Sequence, residues 1–324
     1  MTEGDPIPDP PLDPALIRKI FLLTFVFAGI LISLMLIPYD FDAVILFMQI
    51  AQDSPFFHSF AAFMDQTIFD GNPFGGQDPS FLLFLGALIG YFLTYIPAMP
   101  EKFRKLRLYF GFVIAVSLSL TIISRGFKAL FARVRPSGVL EYPLLYSPMW
   151  WFGHYSFDDA LSKGSFISGH TTMAVVMMSL GFISLRSKKR WVTICSFVAT
   201  GSWALLMAAG RVFEGKHFPS DTIWAIWIGV LVIIWIYYAV LKIPDQEEGE
   251  FSLHGTMAEL RWTVLFLVFS VFVFGTIISL RYIFIGFIWY LPIMAIGFPI
   301  AAIFIWKRMQ YILYGSKKIE KNAK

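Results

Sequence analysis

Apolar and polar positions along this chain alternate in long blocks rather than with a short period. Apolar runs lie at 20–37, 81–99, 108–124, 168–185, 191–209, 222–241, 262–280 and 282–306. Each is close to the ~20 residues that cross a ~30 Å hydrocarbon core as a helix. The pattern predicts an all-α integral membrane protein with about eight transmembrane helices. Charged turns bound the runs: Lys102, Arg104, Lys105 and Arg107 before the third, and Arg186, Lys188, Lys189 and Arg190 between the fourth and fifth. The last two runs read as a hairpin turning at Arg281.

The segment between the first two runs breaks the pattern. Phe and Met residues interleave there with Asp42, Gln49, Asp53, His58 and Asp65, which suits short amphipathic helices at the interface. Turn signals at Gly71-Asn72-Pro73 and Gly75-Gly76 end it. The expected divisions are therefore a disordered cytoplasmic tail (1–15), rich in Pro and Asp, and a membrane core (16–241) with an interfacial segment (40–79). A cytoplasmic linker (242–261), a two-helix hairpin (262–306) and a basic cytoplasmic tail (307–324) follow. The run at 20–37 reads as a retained helix, because the tail before it is acidic and no small-residue cleavage site follows.

Composition agrees: 57% of residues are hydrophobic, against ~45–50% for soluble domains. The single cysteine, Cys195, excludes a disulfide framework and a Cys-based metal site. A net charge of +4, spread over turns between apolar runs, points away from nucleic acid. With the N-terminus inside, most of the 26 Lys and Arg residues fall on inner segments, so both termini are expected in the cytoplasm. The outer cations are Arg125, Lys128, Arg133, Arg135, Lys163, Arg211, Lys216 and Arg281. All but Arg281 fall in the two segments 125–163 and 211–216, on one face, where an anionic ligand would explain them.

Three pieces of chain carry chemistry on that face. In the stretch from Gly210 to Asp221, His217 and Asp221 are four residues apart, and Pro219 with Ser220 suits a helix start. A carboxylate one turn from an imidazole can fix its tautomer, and Arg211 supplies a planar fork for phosphate oxygens. If the third helix continues past Arg125, Lys128 and Arg135 share a face two turns apart, with Pro136 as the stop. Ser168-Gly169-His170 opens the fourth run with a capping hydroxyl, close backbone approach and free N–H groups, an anion site with His170 at its rim. Together these allow phosphoryl transfer: cations neutralise the oxygens, His217 attacks, Asp221 steadies it, and His170 protonates the departing group.

Lys128-x6-Arg135-Pro136, Ser168-Gly169-His170 and Arg211-x5-His217-x3-Asp221 resemble, in spacing and order, the three-part signature of the type 2 phosphatidic acid phosphatase superfamily. That superfamily includes membrane lipid phosphatases, glucose-6-phosphatase and vanadium haloperoxidases. The resemblance covers roughly 81–241 and implies a six-helix phosphatase core, no metal or other cofactor, and a phosphohistidine at His217. It makes Asp221 the orienting group and His170 the general acid, and it assigns phosphate binding to Lys128, Arg135, Ser168, Gly169 and Arg211. Ile167 and Gly210 stand where the family usually has Pro and Ser.

The expected partners are the lipid bilayer and a membrane lipid phosphate, a monoester or pyrophosphate, met on the periplasmic face of a bacterial inner membrane. A phosphotransferase passing the group to another lipid uses the same residues, and a non-catalytic lipid-binding or transport protein is the reading from another class. Charges gathered at helix ends rather than mid-span favour an enzyme. Tyr142, Tyr146, Trp150, Trp151, Phe152 and Tyr155 read as an interfacial aromatic group, and the loop that holds them also resembles bacterial lipid A and phosphatidylglycerophosphate phosphatases. His58, His154 and His254 read as polar surface residues, with His154 nearest in sequence to the site.

Overall fold

The computed structural model describes residues 14–36, 38–148, 152–153, 155–187, 189–247, 257–285 and 291–322. Residues 1–13 of the expected tail, Trp150, Trp151, His154, His254 and residues 248–256 of the expected linker lie outside them. Of the described residues 81% are helical and none is in a strand. This is the all-α membrane fold that the apolar blocks require, since only helices and closed barrels satisfy backbone polar groups in lipid.

The helices are α1 (Pro14–Leu36), α2 (Asp40–Asp53), α3 (Pro55–Asp65), α4 (Asp78–Leu93), α5 (Glu101–Arg104), α6 (Arg107–Phe131), α7 (Pro136–Glu141) and α8 (Phe157–Lys163). After them come α9 (Gly169–Val176), α10 (Met178–Ser184), α11 (Arg190–Phe213), α12 (Pro219–Trp235), α13 (Ile243–Glu247), α14 (Met257–Ile285) and α15 (Leu291–Asn322). Among the described residues five segments are long and apolar enough to cross a membrane: Glu101–Glu141, Arg190–Phe213, Pro219–Glu247, Val264–Ile283 and Leu291–Met309. The bent pair Leu23–Leu36 and Asp40–Asp53 makes a sixth if it counts as one span. Asp78–Leu93 and Gly169–Ser184 are shorter apolar helices.

Helix α6 organises the core. Residues 112–117 are all buried, so the helix is covered on every side there, and its positions Leu108, Phe112, Ala115, Val116 and Leu120 recur at three- and four-residue spacing along one face. They join Val175 of α9, Ile233 of α12 and Phe266 of α14 in one apolar cluster. The same stripe continues through buried Ser124 and Lys128, so the face that packs the core also delivers the lysine to the end of the bundle.

Two sequence expectations need correction. Pro136 does not stop the third helix: α6 ends at Phe131, where Ala132 turns into the left-handed region at φ 49°. Pro136 instead opens α7 at its first position, where a missing N–H costs nothing. Lys128 and Arg135 therefore do not share a helix face. Nor is Arg281 a hairpin turn, since α14 runs through it to Ile285. Arg281 Nη1 donates to the Ala129 carbonyl at 2.6 Å, and Tyr282 Oη donates to it at 3.2 Å. That carbonyl is one of those a helix leaves unpaired in its last turn, so α14 caps the helix that bears Lys128. Gly126 makes the approach possible, because a Cβ there would lie 2.2 Å from the Phe274 ring.

Segment 40–65 is more than an amphipathic layer. Helices α2 and α3 bury Asp40, Val44, Ala51, Ala61 and Met64. Phe47, Phe57 and Phe60 pack around Phe213 of α11.

Candidate active site

Backbone bonds tie the three motif segments together before any side chain is considered. Ser168 N donates to Asp221 O at 3.1 Å, Ser137 N to Gly215 O at 3.2 Å, and Ser165 N to Arg133 O at 2.9 Å. Helix α6 ends, α9 begins, α11 ends and α12 begins at this one end of the bundle. Gly215, at φ 68°, turns the chain from α11 toward His217, a conformation that favours glycine. Pro219 then starts α12 and sets Asp221 in its first turn.

Ser168 caps α9 by accepting from Thr171 N at 3.4 Å. Gly169 lies against Lys128: a Cβ there would sit 3.6 Å from Nζ. Lys128, Gly169, His170, Ser124, Arg125 and Gln77 line a cavity of about 160 Å³. Lys128 has no ion-pair partner among the described residues, and Arg135 Nε is buried without a hydrogen-bond partner.

His217 is fully buried. Its Nδ1 lies 3.6 Å from Asp221 Oδ2 and 3.5 Å from Ser165 Oγ. Asp221 Oδ2 also accepts from Phe218 N at 2.9 Å and from the Ser165 hydroxyl. The other ring nitrogen, Nε2, has no partner among the described residues. Burial pushes the imidazole down to about 3, with Lys128 and Arg211 adding to the effect and Asp221 opposing it. A group that far below neutrality is uncharged at physiological pH, the form that presents a lone pair at Nε2.

Arg211 is 2% exposed and already engaged: Nη1 pairs with Asp65 and, at 2.5 Å, with Glu214 Oε2. Asp65 Oδ1 is also 3.4 Å from His170 Nε2. One carboxylate from α3 thus bridges two motif residues. The sequence offered no signal for this, because Asp65 lies 146 positions from Arg211 inside a segment that read as interfacial.

Arg133 was equally illegible as more than one of the outer cations. It is 1% exposed, its Nη1 bonds Asp221 Oδ1 at 2.7 Å and its Nη2 bonds Asp40 Oδ2 at 2.8 Å. Its guanidinium lies over the Phe218 ring at 3.9 Å, and its Nε donates to Ser147 O at 2.8 Å. Tyr146, from the aromatic group, packs on Phe218 and Phe41 rather than standing free, whereas Tyr142 and Phe152 are exposed. His58 is exposed. Among the described residues, no group of three or more His, Cys, Asp or Glu is placed to hold a metal ion.

The two departures from the resembled family have local explanations. Ile167 is fully buried in an apolar cluster with Phe131, Phe166 and Ala225. Gly210 meets Met64 of α3, where a Cβ would come within 2.6 Å of the methionine side chain. A larger residue would push α3, and with it Asp65, away from Arg211.

Residues 106–245 match the model of the PAP2 superfamily. Over 98 residues the chain is 33% identical to phosphatidylglycerophosphatase B of Haemophilus influenzae, covering 30% of this chain and 39% of that protein. No solved structure gives a significant match. All three motifs lie inside the matched segment, in family order and drawn to one end of the bundle. Residues 106–245 are thus similar to the PAP2 superfamily, and the chain spans well under half the length of the curated relative it matches.

Proposed function

We propose that the chain is a metal-independent phosphatase of a membrane lipid phosphate, a monoester or pyrophosphate, acting through a phosphohistidine at His217. Lys128, Arg135 and Arg211, with the Ser168-Gly169 turn, bind the phosphoryl oxygens. The His217 Nε2 lone pair forms the N–P bond as the P–O bond to the lipid breaks, and His170 gives its proton to the departing oxygen. Water then attacks phosphorus, His170 takes a proton from that water, and the N–P bond breaks to release inorganic phosphate. Asp221 holds the imidazole through Nδ1 during both steps.

The observation that carries this reading is the His217 ring, held on its Nδ1 side while Nε2 is buried with no partner among the described residues. The match to phosphatidylglycerophosphatase B supports a lipid phosphate as substrate. The excess of Lys and Arg on the opposite segments supports placing the site on the periplasmic face of a bacterial inner membrane.

The test incubates purified protein with a panel of lipid phosphates, with and without acceptor lipids, and measures free against transferred phosphate. Free phosphate should be released by the wild type and abolished in His217→Ala, while the variant still inserts. Turnover that survives this substitution removes the nucleophile assignment, and phosphate recovered on the acceptor makes the chain a transferase.

A further inference from the structure

We propose that Asp40 and Arg133 are positioning residues for this reaction: they hold Asp221, and through it His217, and they set the net charge behind the imidazole. The proposal rests on the phosphatase reading and extends it beyond the family segment, because Asp40 lies outside residues 106–245.

The geometry is a closed chain of charge. Asp221, Arg133 and Asp40 are 0%, 1% and 1% exposed. Arg133 grips Asp221 Oδ1 with Nη1 and Asp40 Oδ2 with Nη2. Its planar fork fixes one oxygen of Asp221 and leaves Oδ2 for Ser165, Phe218 N and His217. Ser220 locks the far end: its N–H donates to Asp40 Oδ1 at 2.9 Å, its hydroxyl to Asp40 Oδ2 at 2.5 Å, and the hydroxyl accepts from Arg133 at 2.9 Å.

Charge explains why a second carboxylate is present. Paired with Arg133 alone, Asp221 would be half of a neutral ion pair, with little field left for a ring that becomes positive as Nε2 bonds phosphorus. Asp40 leaves the triad one negative charge, fixed in place before the reaction begins. Buried ion triads do not out-stabilise well-packed apolar side chains of the same volume, so fold stability alone does not account for three buried charges.

The experiment measures kcat, KM and single-turnover phosphohistidine formation for Asp40→Asn on the full-length protein in detergent, beside wild type and His217→Ala. We expect kcat and the phosphorylation rate to fall together by about tenfold, as for other orienting partners of a reactive group, with KM inside about twofold. An unchanged kcat, or a loss that tracks only the fraction of folded protein, overturns the proposal. If Asp40→Asn does not fold, Ser220→Ala removes one Asp40 contact without leaving a charge unpaired. It should show the same split at about threefold, and an unchanged kcat there overturns the proposal equally. A wild type that releases no phosphate from any lipid defeats the phosphatase reading itself. An inert His217→Ala beside a fully active Asp40→Asn defeats only the positioning role.

Discussion

At one end of the helical bundle Lys128, Arg133, Arg211, His217, Asp221 and Asp40 are all less than a tenth exposed; at the other, Glu101, Lys102, Arg104 and Lys105 face outward. The outward group pairs locally, Lys105 with Glu101 at 2.8 Å and one helical turn apart. Such exposed pairs are screened by water and contribute little. Arg107 is the buried exception at that end, and it bonds Thr94 rather than a carboxylate. Cations at the exposed end suit the cytoplasmic side proposed for it, where they need no ligand to account for them. Charge at the buried end has been stripped of water, which is costly unless the site uses it. Depth therefore separates the two kinds of charge where sequence composition does not.

That contrast breaks first, and hardest, at Arg211. Arg211→Lys keeps the charge and the contact with Asp65 but removes the fork, and should lower kcat/KM by about a hundredfold. A near-normal value would mean that Arg211 is structural. Asp65→Asn sharpens the contrast from the other side. The carboxylate now on Arg211 and His170 stands where the proposed phosphoryl group, of like charge, would bind, so neutralising it should lower KM by roughly tenfold. A raised KM would show instead that Asp65 recognises part of the substrate. The smallest effect belongs to the exposed end: Lys105→Gln should leave both phosphate release and the thermal midpoint unchanged within error, and a clear loss of either would erase the distinction.

The motif residues were legible because their spacing is local. His217 and Asp221 are four positions apart, near enough to meet across a helix start, and Ser168 before an apolar run announces a cap; the structure contains both, with His217 just ahead of α12. Depth and partnership were not legible. Arg133 sits among other arginines with nothing in its neighbourhood to mark it, and its partners Asp40 and Asp221 lie 93 and 88 positions away. Asp40 and Asp65 read as interfacial acids because the pattern around them is amphipathic, and amphipathicity does not say what the polar face meets. Pro136 misled for a different reason: proline fits both just after one helix and at the start of the next, and the left-handed turn at Ala132 that decides between them has no glycine to signal it. Arg281 interrupts an apolar pattern as a loop would, yet a buried carbonyl at the end of α6 accounts for it within an unbroken helix.

The Asp40–Ser220 bond joins residues 180 positions apart. At ~5–20 residues per second, a ribosome needs roughly 10–40 s to make the intervening chain. Every other residue proposed for the reaction, from Lys128 to Asp221, is made after Asp40, within that interval or at its close. The proposed activity therefore arrives late, only when the N-terminal helices and α12 meet.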